Sequence, residues 1–257
     1  MGTRSGPLWL VRWVVVLAAV LGSVVAAAPA GAVANGEPVP EGRYRFAVRL
    51  TMPDITRPDG THYSSACSAA LIAPQWIIGA GHCFHDGARN RISGPVRYEV
   101  IAIVGTADLD SGNGIERQVL EVWQAPDRDL AVARLDAPVL RVTPIRLNDR
   151  APRLGDTVRI AGWGWTGEGE FAPSSILRTG RFEVSSVADT TVGVVGVAPQ
   201  PDTSACPYDS GAPYFAVRHG RSYLVSVENT GPDCPHSEEE TTARVDTLRD
   251  WIRRTAR

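Results

Sequence analysis

Apolar positions fall into one long run near the N-terminus and many short ones after it. The long run, Trp13 to Ala28, follows Arg4 and Arg12 and ends at Pro29 and the small-x-small triplet Ala30-Gly31-Ala32, the layout of a secretory signal cleaved after Ala32. An uncleaved membrane anchor is the alternative, since the run is nearly long enough to span, but Gly22-Ser23 interrupts it and the cleavage motif argues against it. No other stretch has the length and apolarity to span a bilayer. Beyond the leader, Phe46, Val48 and Leu50 alternate with charged or small residues, the period-2 signature of a half-buried strand. A loop with Pro and Gly, Pro53 to Tyr63, comes next, then an apolar-rich stretch from Cys67 to Ile78 and another from Tyr98 to Val104. Pro138 to Asp149 reads as a crossover between two halves. Val158 and Ile160 open the second half, and short strands follow at Arg178 to Val184, Thr191 to Val197, Tyr214 to Arg218 and Tyr223 to Val227. Regular short strands without helical patterns between them predict an all-β barrel or sandwich. The one helix is C-terminal, with Val245, Leu248, Trp251 and Ile252 on one stripe and Asp246 placed to cap it.

Composition adds boundaries. At 257 residues the chain holds one large domain or two small ones and can bury an ample core. A net charge of -2, with both signs scattered, leaves no electrostatic footprint for nucleic acid or anionic lipid. Four cysteines behind a secretory leader suggest two disulfides, and counting alone leaves three connectivities open. No Cys-x-x-Cys pair argues for zinc. The acidic loop from Asp108 to Glu116 lacks the oxygen-ligand spacing of an EF-hand and reads as a solvated turn, so no metal is assigned.

The chemistry centres on Cys206-Pro207-Tyr208-Asp209-Ser210-Gly211-Ala212-Pro213, where a serine stands between an acidic residue and small ones. A serine nucleophile needs a histidine base, a carboxylate that orients the base, and backbone donors for the oxyanion. Upstream lie Ala80-Gly81-His82-Cys83 and Asp129-Leu130-Ala131-Val132, in the order His, Asp, Ser. Asp127 is the competing carboxylate, but Asp129 directly precedes the apolar residues. The Gly-x-Ser-x-Gly elbow and Ser-Asp-His order of α/β-hydrolases are absent. Each block alone is more often structural, whereas the ordered set is specific. It resembles the chymotrypsin/trypsin-like serine proteases, whose blocks are Ala-Ala-His-Cys, Asp-Ile-Ala-Leu and Gly-Asp-Ser-Gly-Gly-Pro. Gly162-Trp163-Gly164 resembles the family's Gly-Trp-Gly, and the likeness runs from Val33 to the C-terminal helix.

The resemblance, to the bacterial secreted type, implies a signal peptide over 1–32 and a protease domain over 33–257. That domain would form two six-stranded antiparallel β-barrels, about 33–143 and 144–257, with a C-terminal α-helix. It implies a triad of His82, Asp129 and Ser210, an oxyanion hole from the backbone N–H groups of Tyr208 and Ser210, and disulfides Cys67–Cys83 and Cys206–Cys234. Val33, freed by leader cleavage and followed by Ala34-Asn35-Gly36, would place its ammonium beside Asp209. The specificity pocket would have Ser204 at its base, with Ser226, which also contacts the catalytic Asp, and Glu228 and Glu240 on its wall. A neutral Ser204 favours uncharged side chains, whereas Glu228 and Glu240 would attract Arg or Lys if the loop lengths bring them to the wall and are otherwise solvated loop charges; the reading is for large apolar side chains. His62, His85, His219 and His236 stand in polar contexts and read as solvated. The activity implied is that of a secreted, monomeric serine endopeptidase acting on polypeptides through an acyl-enzyme. It would have no metal or organic cofactor, no nucleic-acid partner and no membrane attachment after signal cleavage. Two positions depart from the family: Ala212 replaces a glycine, a small change, and Tyr208 replaces another in a conformation that a Cβ disfavours. The alternative is a secreted non-catalytic binding protein with the same fold.

Overall fold

The computed structural model describes residues 1–3, 33–167 and 169–257; the predicted signal, running from 1 to 32, lies almost wholly outside the described residues. Six strands form the first barrel: β1 (Ala47–Thr56), β2 (His62–Ala73), β3 (Trp76–Gly79), β4 (Ile101–Val104), β5 (Ile115–Gln124) and β6 (Ala131–Leu135). They close antiparallel in the cyclic order β1-β2-β3-β6-β5-β4. Six more, β7 (Thr157–Gly162), β8 (Arg178–Val187), β9 (Thr191–Ala198), β10 (Pro213–Arg218), β11 (Arg221–Thr230) and β12 (Glu240–Arg244), repeat the order as β7-β8-β9-β12-β11-β10. Closure removes the sheet edges that would otherwise expose unpaired amides.

The period-2 pattern explains both faces of β1. Val48, Leu50 and Met52 are buried in the first barrel, while Ala47 and Arg49 alternate with them and are buried as well. The second face is covered because the barrels pack together, β1 on β7, β2 on β10 and β3 on β11. Phe215 meets Phe46 edge-on at 5.2 Å and Tyr44 at 4.8 Å, so an aromatic cluster ties strand β10 to the first barrel. Burying Phe215 contributes about 1.5–3 kcal/mol.

The structure corrects three sequence expectations here. Much of the predicted loop from Pro53 to Tyr63 is strand, because β1 continues through a bulge after Met52 to Thr56 and pairs with His62 and Tyr63. Its tip is polar and exposed on both faces, which hides the alternation. The segment assigned to the start of the first barrel pairs with the second: Glu37 and Pro38 add to β8, and Ala34 bridges Ser204. Asp246 does not cap the C-terminal helix (α1, Arg249–Thr255), which follows a 3-10 turn; its carboxylate takes Arg244 at 2.7 and 2.9 Å instead. Leu248 and Ile252 do seal the first core. Among the described residues, no helix is long and apolar enough to cross a membrane.

Candidate active site

His82 stands in a 3-10 turn, Gly81–Cys83, just after β3, and Asp129 just before β6, the strand paired with β3. That pairing brings them together across 47 residues. The His82 Nδ1 lies 2.6 Å from Asp129 Oδ2, and the His82 backbone N–H donates to Asp129 Oδ1 at 2.7 Å. Asn229 Nδ2 donates to the Asp129 backbone carbonyl at 2.6 Å and to Oδ2 at 3.2 Å, while Arg91 reaches Oδ1 at 3.4 Å. Burial works to raise the Asp129 pKa, but the hydrogen bonds and charge of His82, with Arg91, outweigh it and hold the carboxyl below its ordinary range. Asp127, the competing carboxylate, is bound to its neighbour Arg128 at 2.9 Å. The Cys67–Cys83 disulfide closes the loop that carries His82, a constraint of roughly 3 kcal/mol in the chain-entropy model.

Ser210 is half-buried beside this pair. Its carbonyl accepts from Ser68 N–H at 2.9 Å and touches Cys83 Sγ at 3.6 Å. Gly211 presses on the backbone of Gly79 and Ala80, where a Cβ would fall 2.3 Å from the Ser68 carbonyl oxygen. Glycine after the serine therefore lets the loop approach the histidine turn. No hydrogen bond joins the Ser210 hydroxyl to His82 in this structure, and such bonds often tighten only when substrate is present.

Tyr208 has φ 78°, the left-handed region that glycine favours. Its side chain packs on Phe171 at 5.6 Å, and its carbonyl accepts from Ser68 Oγ at 3.2 Å. Among the described residues the Tyr208 and Ser210 N–H groups donate to no protein acceptor. They are thus free to receive an oxyanion. Strain of about 1–3 kcal/mol at Tyr208 is offset by its ring packing and by the ties on Asp209. Tyr208→Gly should therefore change turnover less than about tenfold, as steady-state peptide hydrolysis will show; losing one donor would be worth roughly 10²- to 10³-fold, so a rise of that size would mean the hole is unformed.

Asp209 is wholly buried. It accepts from Gly164 N–H at 2.8 Å, from Cys206 N–H at 3.0 Å and from Val33 N–H. Burial pushes its pKa up to about 7 against these bonds and the charge of Arg49. Val33 is itself fully buried, so the expected partners meet, with Val33 here presenting an amide because the chain continues to Ala32.

Beside Ser210 a cleft of about 430 Å³ is lined by Trp165, Phe171, Glu228, Glu240 and the Cys206–Cys234 disulfide. Two of the four expected pocket residues line it and two do not. Ser204 is fully buried behind it, its Oγ accepting from His236 N–H at 3.2 Å. Ser226 is buried with its hydroxyl unpartnered; the expected contact to Asp129 is made by Asn229. Glu228 and Glu240 are 3% and 1% exposed, and Oε2 of each lacks a hydrogen-bond partner. Burial, together with the mutual charge of Glu240 and that of Asp209, pushes Glu228 well up. Burial raises Glu240 to about 8, against a bond from Ala205 N–H. Two further expectations fail: His236 is buried with Nε2 3.1 Å from Glu240, and His85 is buried against Tyr63 and the Asp86 carbonyl, so neither is solvated.

Two closed six-stranded barrels with a His–Asp pair and a serine loop at their seam define the chymotrypsin-like architecture of serine proteases. The sequence matches the trypsin family over residues 33–252, and the chain belongs to that family. It is 27% identical over 269 residues to "Hepatocyte growth factor activator serine proteases" of Canis lupus familiaris, covering 85% of this chain and 40% of that protein. It is 31% identical over 219 residues to "Suppressor of tumorigenicity 14 protein homolog" of Bos taurus, covering 73% of this chain and 25% of that protein. The chain thus spans well under half the length of these mammalian relatives. Neuropsin, a serine protease expressed in the limbic system of mouse brain, superposes with a TM-score of 0.66 at 18% identity, covering 86% of this chain and 99% of that one; at that identity the likeness speaks for the fold.

Proposed function

We propose that this protein is a secreted serine endopeptidase of the bacterial secreted type, monomeric, produced with a signal over 1–32 and active as residues 33–257. The carrying observation is the Asp129-bound His82 beside a serine whose loop leaves two N–H groups free. In the reaction His82 takes the proton from Ser210 Oγ as it attacks the peptide carbonyl. Asp129 holds Nδ1 protonated and stabilises the imidazolium, and Tyr208 and Ser210 N–H receive the oxyanion. His82 then protonates the leaving amine, and water hydrolyses the acyl-enzyme. The likeness to named proteases and the two disulfides support secretion and peptide substrates. The cleft takes the side chain preceding the scissile bond, and its two wall carboxylates with free oxygens favour Lys or Arg over the large apolar residue that Ser204 suggested.

A fluorophosphonate tests this directly, because it labels only an activated serine. Peptide mapping of the mature protein is expected to find one adduct, at Ser210, in step with hydrolysis of peptide substrates. An unlabelled, inert protein would instead be the non-catalytic binding protein.

A further inference from the structure

Asp209 presents a charge problem that its hydrogen bonds alone do not solve. A fully buried carboxylate needs a cation, and in the chain as it stands Val33 offers only an amide dipole. The family's answer is an ammonium made by chain cleavage. This chain holds a second cation. Arg49, on the inward-turned face of β1, is 5% exposed, forms no ion pair within 4 Å among the described residues, and leaves Nη1 without a hydrogen-bond partner. Its register partner on β2 is Ser68, whose N–H holds the Ser210 carbonyl and whose Oγ holds the Tyr208 carbonyl. Arg49 therefore stands behind the serine loop. Burial lowers its pKa to about 10, and the charge it feels most is that of Asp209. The other titratable groups facing Asp209 are Glu228, Glu240 and Tyr214, all of which disfavour a second anion there.

We propose that Arg49 is the resident counter-ion of Asp209, a positioning residue that keeps the 208–210 loop in its open-donor shape even when Val33 carries no free ammonium. It acts through Asp209 and touches no reacting atom. The inference rests on the reading of Ser210 as the nucleophile. Its consequence is that release of the N-terminus tunes activity without switching it on, because the loop already has a cation across from its buried acid.

Four proteins decide the matter: wild type and Arg49→Met, each made as mature chain from Val33 and with a short Gly-Ser extension ahead of Val33. The extended wild type is expected to keep kcat/KM within about tenfold of the mature form, since Arg49 still faces Asp209. Arg49→Met should cost the extended form about a hundredfold or more, entirely in turnover, and the mature form much less. Arg49→Lys should restore the extended form. A larger fall in the extended wild type, or equal losses in both forms of Arg49→Met, overturns the proposal. A second reading does not depend on hydrolysis: the Asp209 side-chain ¹³C titration in the extended chain should move up by about one unit or more in Arg49→Met, because loss of a nearby cation disfavours the carboxylate. An unmoved titration refutes the proposal even if the protein proves to be no protease.

Discussion

Ser210→Ala is expected to lower peptide turnover by about 10⁶-fold with KM little changed, and His82→Ala by a similar amount, with the double variant no worse than either. In the proposed mechanism serine and histidine act as one unit: without the base the hydroxyl stays protonated, and without the hydroxyl the base has nothing to activate. Asp129→Asn should cost about 10⁴-fold, because an amide Nδ2 facing His82 Nδ1 enforces the wrong tautomer. Single-turnover and steady-state assays with one peptide substrate separate these effects. Additive losses, or a Ser210→Ala protein with more than about a hundredth of wild-type turnover, would be incompatible with a serine acyl-enzyme. The depressed Asp129 pKa has its own consequence. Its stabilising contribution is complete above the unfolded value of about 3.9 and fades as pH falls through the lower folded value, so thermal stability linked to the His82–Asp129 pair survives into the acid range and is absent from Asp129→Asn.

Where side chains meet within a short stretch or a repeating pattern, the sequence was legible. Val48 and Leu50 announce β1 by alternation, and the blocks around His82, Asp129 and Ser210 carry their chemistry in immediate neighbours. What escaped are contacts between distant segments. Asn229 reaches Asp129 from 100 residues away and Arg91 from 38, and neither has a local signature. Polar surroundings misled at His85 and His236, since a polar neighbour in sequence says nothing about which strand later covers it; His85 is covered by Tyr63 on β2 and His236 by Glu240 at the start of β12. Ser204 lies behind the cleft and not on its lining for a similar reason. Its hydroxyl is used by the His236 amide, which belongs to the loop tied down by the Cys206–Cys234 disulfide. Arg49 is one of the charged or small residues that alternate with Val48 and Leu50, and only the packing of β1 on the second barrel turns that face inward.

The Glu228→Gln/Glu240→Gln double variant should lose about 10²- to 10³-fold in kcat/KM for substrates with Lys or Arg before the scissile bond, and gain for large apolar ones. Three buried carboxyls surround this end of the second barrel, Asp209, Glu228 and Glu240, while a mature chain that begins at Val33, as proposed, would supply two cations, Arg49 and the Val33 ammonium. Subtracting two from three leaves one anion unmatched. In the free protein a proton would meet that deficit, since burial, joined at each group by the charge of Asp209, pushes both Glu228 and Glu240 up. A substrate ammonium or guanidinium entering beside the two unpartnered Oε2 atoms would displace that proton and complete the balance. The pH dependence follows in sign. A carboxyl raised to about 8 is neutral below that value, so kcat/KM for cationic substrates should climb as pH rises toward and through about 8. The same group adds stability to the free protein that is complete below about 4.3 and is lost as pH rises through the folded value, so a bound cationic inhibitor should stabilise most at pH 8 and above. Both trends should vanish in the double variant. A peptide library read against pH on the two proteins checks the whole argument. Preference for Lys or Arg that survives loss of both glutamates would place the recognising charge elsewhere in the cleft.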